Sequence, residues 1–213
     1  MAIATQLAVT ALAATAPLAS TPLPRAALPV IVSVSVRAPV SSRLVDTMLE
    51  ETDAIWRAAG FNFVWRRAGS AGSPVPSRLS VIIADERGSS SDGGLPLGWI
   101  RFDGPDLPGR EIYVSRLNAR VLLDQYISLA AARRVVMPLQ EDLLMGRAMG
   151  RALAHELGHY LLRSKAHSRR GLMQGTRSSF EMFATERVRF EIDADQRQHI
   201  AAALAALLPD ASN

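Results

Sequence analysis

The sequence predicts an α+β domain built on a mixed, five-stranded sheet. Three observations point there: a β-branched alternating run that begins at Val30, the strand–helix–four-strand succession that it opens, and a second half in which helices replace strands. A length of 213 residues suits one domain with a sizeable core, and 48% hydrophobic against 21% charged residues is ordinary for a globular chain.

The elements follow in order. Val30-Ile31-Val32-Ser33-Val34-Ser35-Val36 alternates β-branched and small polar residues, the period of a strand. Ser41 or Ser42 can cap a helix to about Ala59, with Leu44, Met48, Thr52, Ile55 and Trp56 near one face and Gly60 as its stop. Phe61 to Arg67 reads as a second strand, with Phe61, Phe63 and Trp65 on one side. A Gly/Ser/Pro loop, Ser70 to Ser77, leads to a third strand, Leu79 to Ala84. A glycine-rich polar loop, Arg87 to Leu97, precedes a short fourth strand, Gly98 to Phe102. Asp103 to Arg110 reads as a loop and Glu111 to Ser115 as the fifth strand. Helices are expected over Leu117 to Leu129 and about Leu139 to Arg163, where Gly146 and Gly150 allow another element to pack closely. An irregular stretch, Ser164 to about Arg189, follows. A last helix, capped by Asp193, carries Ile200, Leu204 and Leu207.

Two regions divide the chain. Residues 1–28 read as a signal peptide or a disordered N-terminal segment, and residues 29–213 as the folded domain. The run MAIATQLAVTALAATAPLAS has the apolar, alanine-rich core of a secretory signal, although no Lys or Arg precedes it and Pro17 follows the small residues Ala14 and Ala16. Secretion or export to a periplasm is the expectation; without cleavage the chain stays cytoplasmic. The run is too short for a membrane span, which needs about 20 residues, so no stable membrane insertion is expected. Charge excludes little else. The formal +4 comes from arginines scattered along the chain, with Lys165 the sole lysine, and not from the patch that nucleic acid demands. No nucleic-acid partner is expected, and the chain is expected to act as a monomer.

The chemistry concentrates in Ala154-His155-Glu156-Leu157-Gly158-His159-Tyr160-Leu161-Leu162. Histidines at i and i+4 lie one above the other on a helix, so their imidazoles can share one ion. Glu156 stands about 100° further round, placed to reach a metal-bound water without ligating the metal. The pairing supplies a Lewis acid and a general base in one turn: zinc lowers the pKa of its water towards ~7, and the carboxylate takes the proton as water attacks a carbonyl. The chain has no cysteine, so a zinc site must come from His, Glu and Asp. Three of its four histidines, His155, His159 and His167, fall in one short segment, whereas His199 reads as an exposed helix residue. A catalytic zinc site needs a third protein ligand beside an open position.

Beyond His159 the segment continues Arg163-Ser164-Lys165-Ala166-His167-Ser168-Arg169-Arg170-Gly171-Leu172-Met173. Together with the HExxH helix this resembles the metzincin metalloproteases, and also a group of bacterial proteins with HELGH-x-L-L followed by His-Ser and Gly-Leu/Ile-Met. The resemblance implies Zn²⁺ held by His155, His159 and His167, Glu156 as base, a Met-turn at Gly171-Leu172-Met173, and a peptide or protein substrate. It also implies a twisted, mostly parallel sheet packed on helices, with a long active-site helix and Gly98 to Phe102 at the cleft edge. There a substrate could pair with free backbone groups. The pattern departs from the common HExxHxxGxxH: Leu162 stands at the glycine position and His167 arrives two residues late.

Two other readings stay open. Phe190-Glu191-Ile192-Asp193-Ala194-Asp195 resembles the acidic third-ligand segment of gluzincins, and HELGH regulatory proteases also use a later glutamate, which would make Glu191 the ligand. A non-catalytic zinc-binding protein would need a fourth protein ligand to close the site.

Overall fold

A computed structural model describes residues 30–67, 79–88, 94–129 and 138–205. The expected N-terminal segment 1–28, the loop Ser70 to Ser77 and Leu207 lie outside these residues. The elements run β1 (Val30–Val36), α1 (Ser42–Ala58), β2 (Phe63–Arg67), β3 (Leu79–Ala84), β4 (Gly98–Gly104), β5 (Leu107–Ser115), α2 (Arg116–Leu129), α3 (Pro138–Leu162), α4 (Ser179–Phe183) and α5 (Ala194–Ala205).

The five strands form one sheet in the order β2-β1-β3-β5-β4. β1 pairs in parallel with β2 and β3, and β3 with β5; β4 alone is antiparallel and forms an edge. The α+β, mostly parallel expectation therefore holds, with Gly98 to Phe102 on the edge strand. Parallel neighbours need crossovers, and α1 supplies the one between β1 and β2.

The helices α1 and α3 pack tightly because the facing surface is stripped of side chains. A Cβ on Gly146 would lie 2.7 Å from Thr47 Cβ, and one on Gly150 would lie 2.6 Å from the Met48 carbonyl. That approach lets α1 side chains bond the α3 backbone directly. Thr52 Oγ1 donates to Gly150 O at 3.0 Å, and Trp56 Nε1 donates to Ala154 O at 3.2 Å. The core runs from Val32, Val34, Val81 and Ile83 through Met48, Trp56 and Met149 to Leu153 and Leu157, so the His155–His159 segment of α3 is anchored along its length.

Boundaries differ where local chemistry overrides periodicity. Phe61 donates its N–H to Trp56 O after Gly60 at φ 89°, so β2 opens only at Phe63. The expected loop Asp103 to Arg110 is instead most of a hairpin: Gly104 pairs with Leu107, and two register shifts absorb its glycines and prolines. α3 ends at Leu162 because Arg163 takes φ 51°, one residue before the expected end. Within the expected irregular stretch, Ser178 and Glu181 form a reciprocal capping box that starts α4. Asp193 Oδ1 accepts from Gln196 N–H at 2.8 Å, the expected cap of α5, and His199 is exposed on that helix. No helix among the described residues is long and apolar enough to cross a membrane.

Candidate metal centre

α3 delivers His155, Glu156 and His159 from successive positions of one well-packed helix. His155 is half-buried, and Glu156 and His159 are buried. The chain then reverses at Arg163, whose left-handed backbone does what glycine usually does there. Ser164 N–H bonds His159 O at 3.3 Å across the turn, and the following loop brings His167 back. The ring centroids lie 4.6 Å apart for His155–His159, 5.2 Å for His155–His167 and 5.0 Å for His159–His167. One nitrogen from each of the three lies within 4.8 Å of the others, a grouping able to hold a metal ion. The two-residue delay of His167 is taken up by the later reversal of the chain.

The hydrogen bonds fix which nitrogens point inward. His155 Nδ1 lies 2.8 Å from Leu172 O, and His159 Nδ1 lies 2.7 Å from Ser164 O. A carbonyl only accepts, so each ring must carry its proton on Nδ1, which leaves Nε2 as a bare lone pair. Those two Nε2 atoms face each other at 3.0 Å. Two acceptors at that distance repel unless a cation lies between them, so the donor set fits a metal ion and is backed by the carbonyl partners that ligating histidines use. Burial, and after it the neighbouring His159, hold the His155 imidazole down at about 3. Burial also lowers His159. Both rings are therefore neutral near pH 7, the form that ligates.

Glu156 occupies a dry niche against the edge strand. Burial pushes its carboxyl up to about 8, opposed by the Ile100 backbone N–H that donates to it. A side chain at Gly98 would bring a Cβ within 3.0 Å of Glu156 Cγ, so that glycine makes the niche.

The turn beneath the histidines is built from several directions. Met173 is 1% exposed, and its sulfur would lie 2.2 Å from a Cβ on Gly158. The glycine inside the HExxH helix is thus the seat of the methionine. Gly171 has φ 74°, and a Cβ there would meet Glu191 O at 2.6 Å. That same Glu191 carbonyl accepts the Leu172 N–H at 2.8 Å. Arg177 donates Nη2 to Gly171 O and, at 2.8 Å, to Arg189 O, with its guanidinium 4.2 Å from the centroid of the Phe190 ring. A second guanidinium, Arg151, sits 4.4 Å from the same ring and pairs with Glu51 at 2.8 Å. Gly175 leaves room for the His167 ring, which a Cβ would approach to 2.9 Å.

The structure thus brings together His155, His159 and His167 and sets Glu156 beside them. Glu191 stays outside the group: its side chain is exposed and its contribution is a backbone carbonyl. Arg177 and the packing roles of Gly158 and Gly98 escaped the sequence reading. Gly158 had one available signal, its place between the two helix histidines with a methionine downstream. Arg177 had none, because its partners are backbone carbonyls, which carry no side-chain signal. Tyr126 packs on Phe180 and Phe183, consistent with a purely structural part.

No family model matches the chain, and no curated protein matches it in sequence. Among solved structures it is similar to archaemetzincin from Methanopyrus kandleri, with a TM-score of 0.50 and 16% identity over 83% of this chain and 96% of that one. At that identity the likeness is one of fold, and the chain has an archaemetzincin-like α+β fold.

Proposed function

We propose that this chain is a zinc-dependent endopeptidase. The observation that carries the reading is the pair of Nε2 atoms 3.0 Å apart, joined by His167 and flanked by a buried carboxyl on the same helix turn. His155, His159 and His167 would hold the ion. Nitrogen donors without thiolates suit zinc among the common divalent metals, and three protein ligands leave a position open.

When bound, zinc supplies Lewis acidity towards a water and towards the scissile carbonyl. Glu156 takes the proton of the attacking water and returns it to the leaving amine. Its raised pKa suits both halves of that exchange, and a neighbouring cation draws the carboxyl towards the ionised form that a base requires. The Ile100 N–H keeps the carboxyl pointed at the edge strand. An extended peptide lying along β4 would meet free backbone groups there, the usual way an edge strand holds a segment. Export from the cell, with residues 1–28 removed, belongs to the same proposal and would be read from the N-terminal sequence of the mature protein.

The reading is tested by elemental analysis of the full chain with His155→Ala, His159→Ala, His167→Ala and Glu191→Ala variants, alongside cleavage of a mixed peptide library. One zinc per wild-type chain, reduced by each histidine change and kept in Glu191→Ala, with cleavage tracking zinc, is the expected result. Zinc lost from Glu191→Ala and kept in His167→Ala would move the third ligand to the acidic segment. No zinc in the wild type would overturn the proposal.

A further inference from the structure

The loop that carries the third histidine has an unusual charge. Between Leu157 and Phe180 the chain has no Asp or Glu, yet it carries Arg163, Lys165, Arg169, Arg170 and Arg177. Arg177 is buried beneath the turn and lies 3.8 Å from Glu181. The other four are exposed, and among the described residues none has a carboxylate within ion-pair distance. Some arginines elsewhere are matched, as in Arg116–Asp85, Arg120–Asp124 and Arg187–Glu51, and others such as Arg43, Arg57 and Arg197 have no ion pair among the described residues; the loop stands apart because its cations share one stretch that holds no carboxylate. Like charges left unpaired on one short loop cost stability through mutual repulsion, and an incoming anion would relieve it.

Their placement follows the edge strand and the histidine loop. Lys165 sets its ammonium 5.2 Å from the centroid of the Phe102 ring on the edge strand, and Arg163 Nε donates to Asp106 O at 3.2 Å on the β4–β5 turn. Both cations therefore border the hairpin end of β4. Arg169 and Arg170 sit at the tip of a tight turn closed by Ser168 N–H to Met173 O at 2.8 Å, whose ends lead to His167 and to Leu172, the partner of His155. Arg101 adds an exposed cation on β4 itself. The exposed carboxylates Asp103 and Asp106 on the hairpin offset part of this charge and leave a net positive rim.

We propose that this rim selects acidic peptides, in which Glu or Asp a few residues from the scissile bond pairs with Lys165, Arg169 and Arg170. The inference rests on the endopeptidase reading for its reacting bond, and on the charge of the loop for its selectivity. A peptide fits better than a nucleic acid: the cations gather on one loop and the neighbouring edge strand beside a single histidine cluster, without the extended stripe that tracks a phosphate backbone.

The test uses zinc-loaded full-length protein and matched peptides differing only in Glu against Gln at positions flanking the bond. Each exposed pair is worth up to about fivefold, so kcat/KM is expected to favour the Glu peptide by about tenfold at low salt. The preference should shrink as salt shortens the screening length, and the ratio should collapse in an Arg169→Ser/Arg170→Ser variant. A second readout needs no turnover: anisotropy of the labelled peptides on zinc-loaded Glu156→Gln protein, where the same preference and the same collapse are expected. Cleavage without an acidic preference would overturn the inference while leaving the endopeptidase reading standing. An acidic preference in binding with no cleavage by wild type would do the reverse. A single-stranded oligonucleotide that binds the same loop more tightly than the Glu peptide would also overturn it.

Discussion

Gly158 and Arg177 carry the site without touching the ion, and each can be tested alone. A methyl group at position 158 would meet the Met173 sulfur at 2.2 Å, far inside contact distance. Gly158→Ala is expected to cost about 1–3 kcal/mol by overpacking, read as a lower denaturant midpoint. Adding Met173→Ala should recover much of that loss, because the two residues share one clash. Arg177→Met removes two donors from the turn but leaves an apolar stem near Phe190. Losses of ligand support of this kind weaken metal binding by about 10–100-fold, measurable by competition with a chromophoric chelator. An unchanged affinity would mean that the turn holds itself. At this scale the sequence was legible where spacing alone carries the chemistry: His155 and His159 share one helical face, with Glu156 about 100° further round. It was not legible for Arg177, whose partners are carbonyls of residues 171 and 189 that only the folded chain brings together.

Among the elements, the α1–α3 contact sets the orientation of the metal-bearing helix. Small residues at 146, 150 and 154 let it form, and the sequence reading recognised the glycine pair for that reason. The same contact buries Arg151 and Glu51 at 1% and 3% exposure, with Arg151 also bonding the Glu186 carbonyl at 2.9 Å. Removing one charge of such a pair strands the other, so Glu51→Ala is expected to cost about 3–5 kcal/mol. Glu51→Ala/Arg151→Met should be less damaging than the single change, and denaturant titration of both proteins decides this. The end of the β4–β5 hairpin, Asp103 to Arg110, was misread as a loop because Gly104, Pro105, Pro108 and Gly109 resemble breakers, whereas the hairpin tolerates them there through register shifts. The short helix α4 lacked enough length to show a period. Its Ser178…Glu181 capping box was the only local sign.

For the whole molecule, the opposed shifts at the site predict how stability depends on pH once metal is stripped by a chelator. His155 falls from its ordinary 6.5 to about 3, so the unfolded chain binds the extra proton between those values and stability is lost as pH drops through them. His159, also lowered, acts in the same sense. Glu156 rises from 4.5 to about 8, so the folded chain holds the extra proton in that window, and stability is lost as pH climbs towards 8. The metal-free protein is therefore expected to melt highest at about pH 6–7, with Asp85 and Glu181, whose carboxyls are held low, adding further loss in strong acid. Thermal melts across pH would check this, and the alkaline limb should vanish in Glu156→Gln. The overall topology was readable because strand, helix and turn signals agreed along most of the described chain. Which sheet face and which loop would border the histidines emerged only from the crossovers.

The most direct measurement compares zinc content and peptide cleavage in wild type and Glu156→Gln protein. The account predicts equal zinc in both, with kcat lower by about 10²–10⁴-fold in the variant, the range removed with a general base. Equal zinc with equal cleavage would contradict the role of Glu156, and wild-type protein without zinc would contradict the site itself.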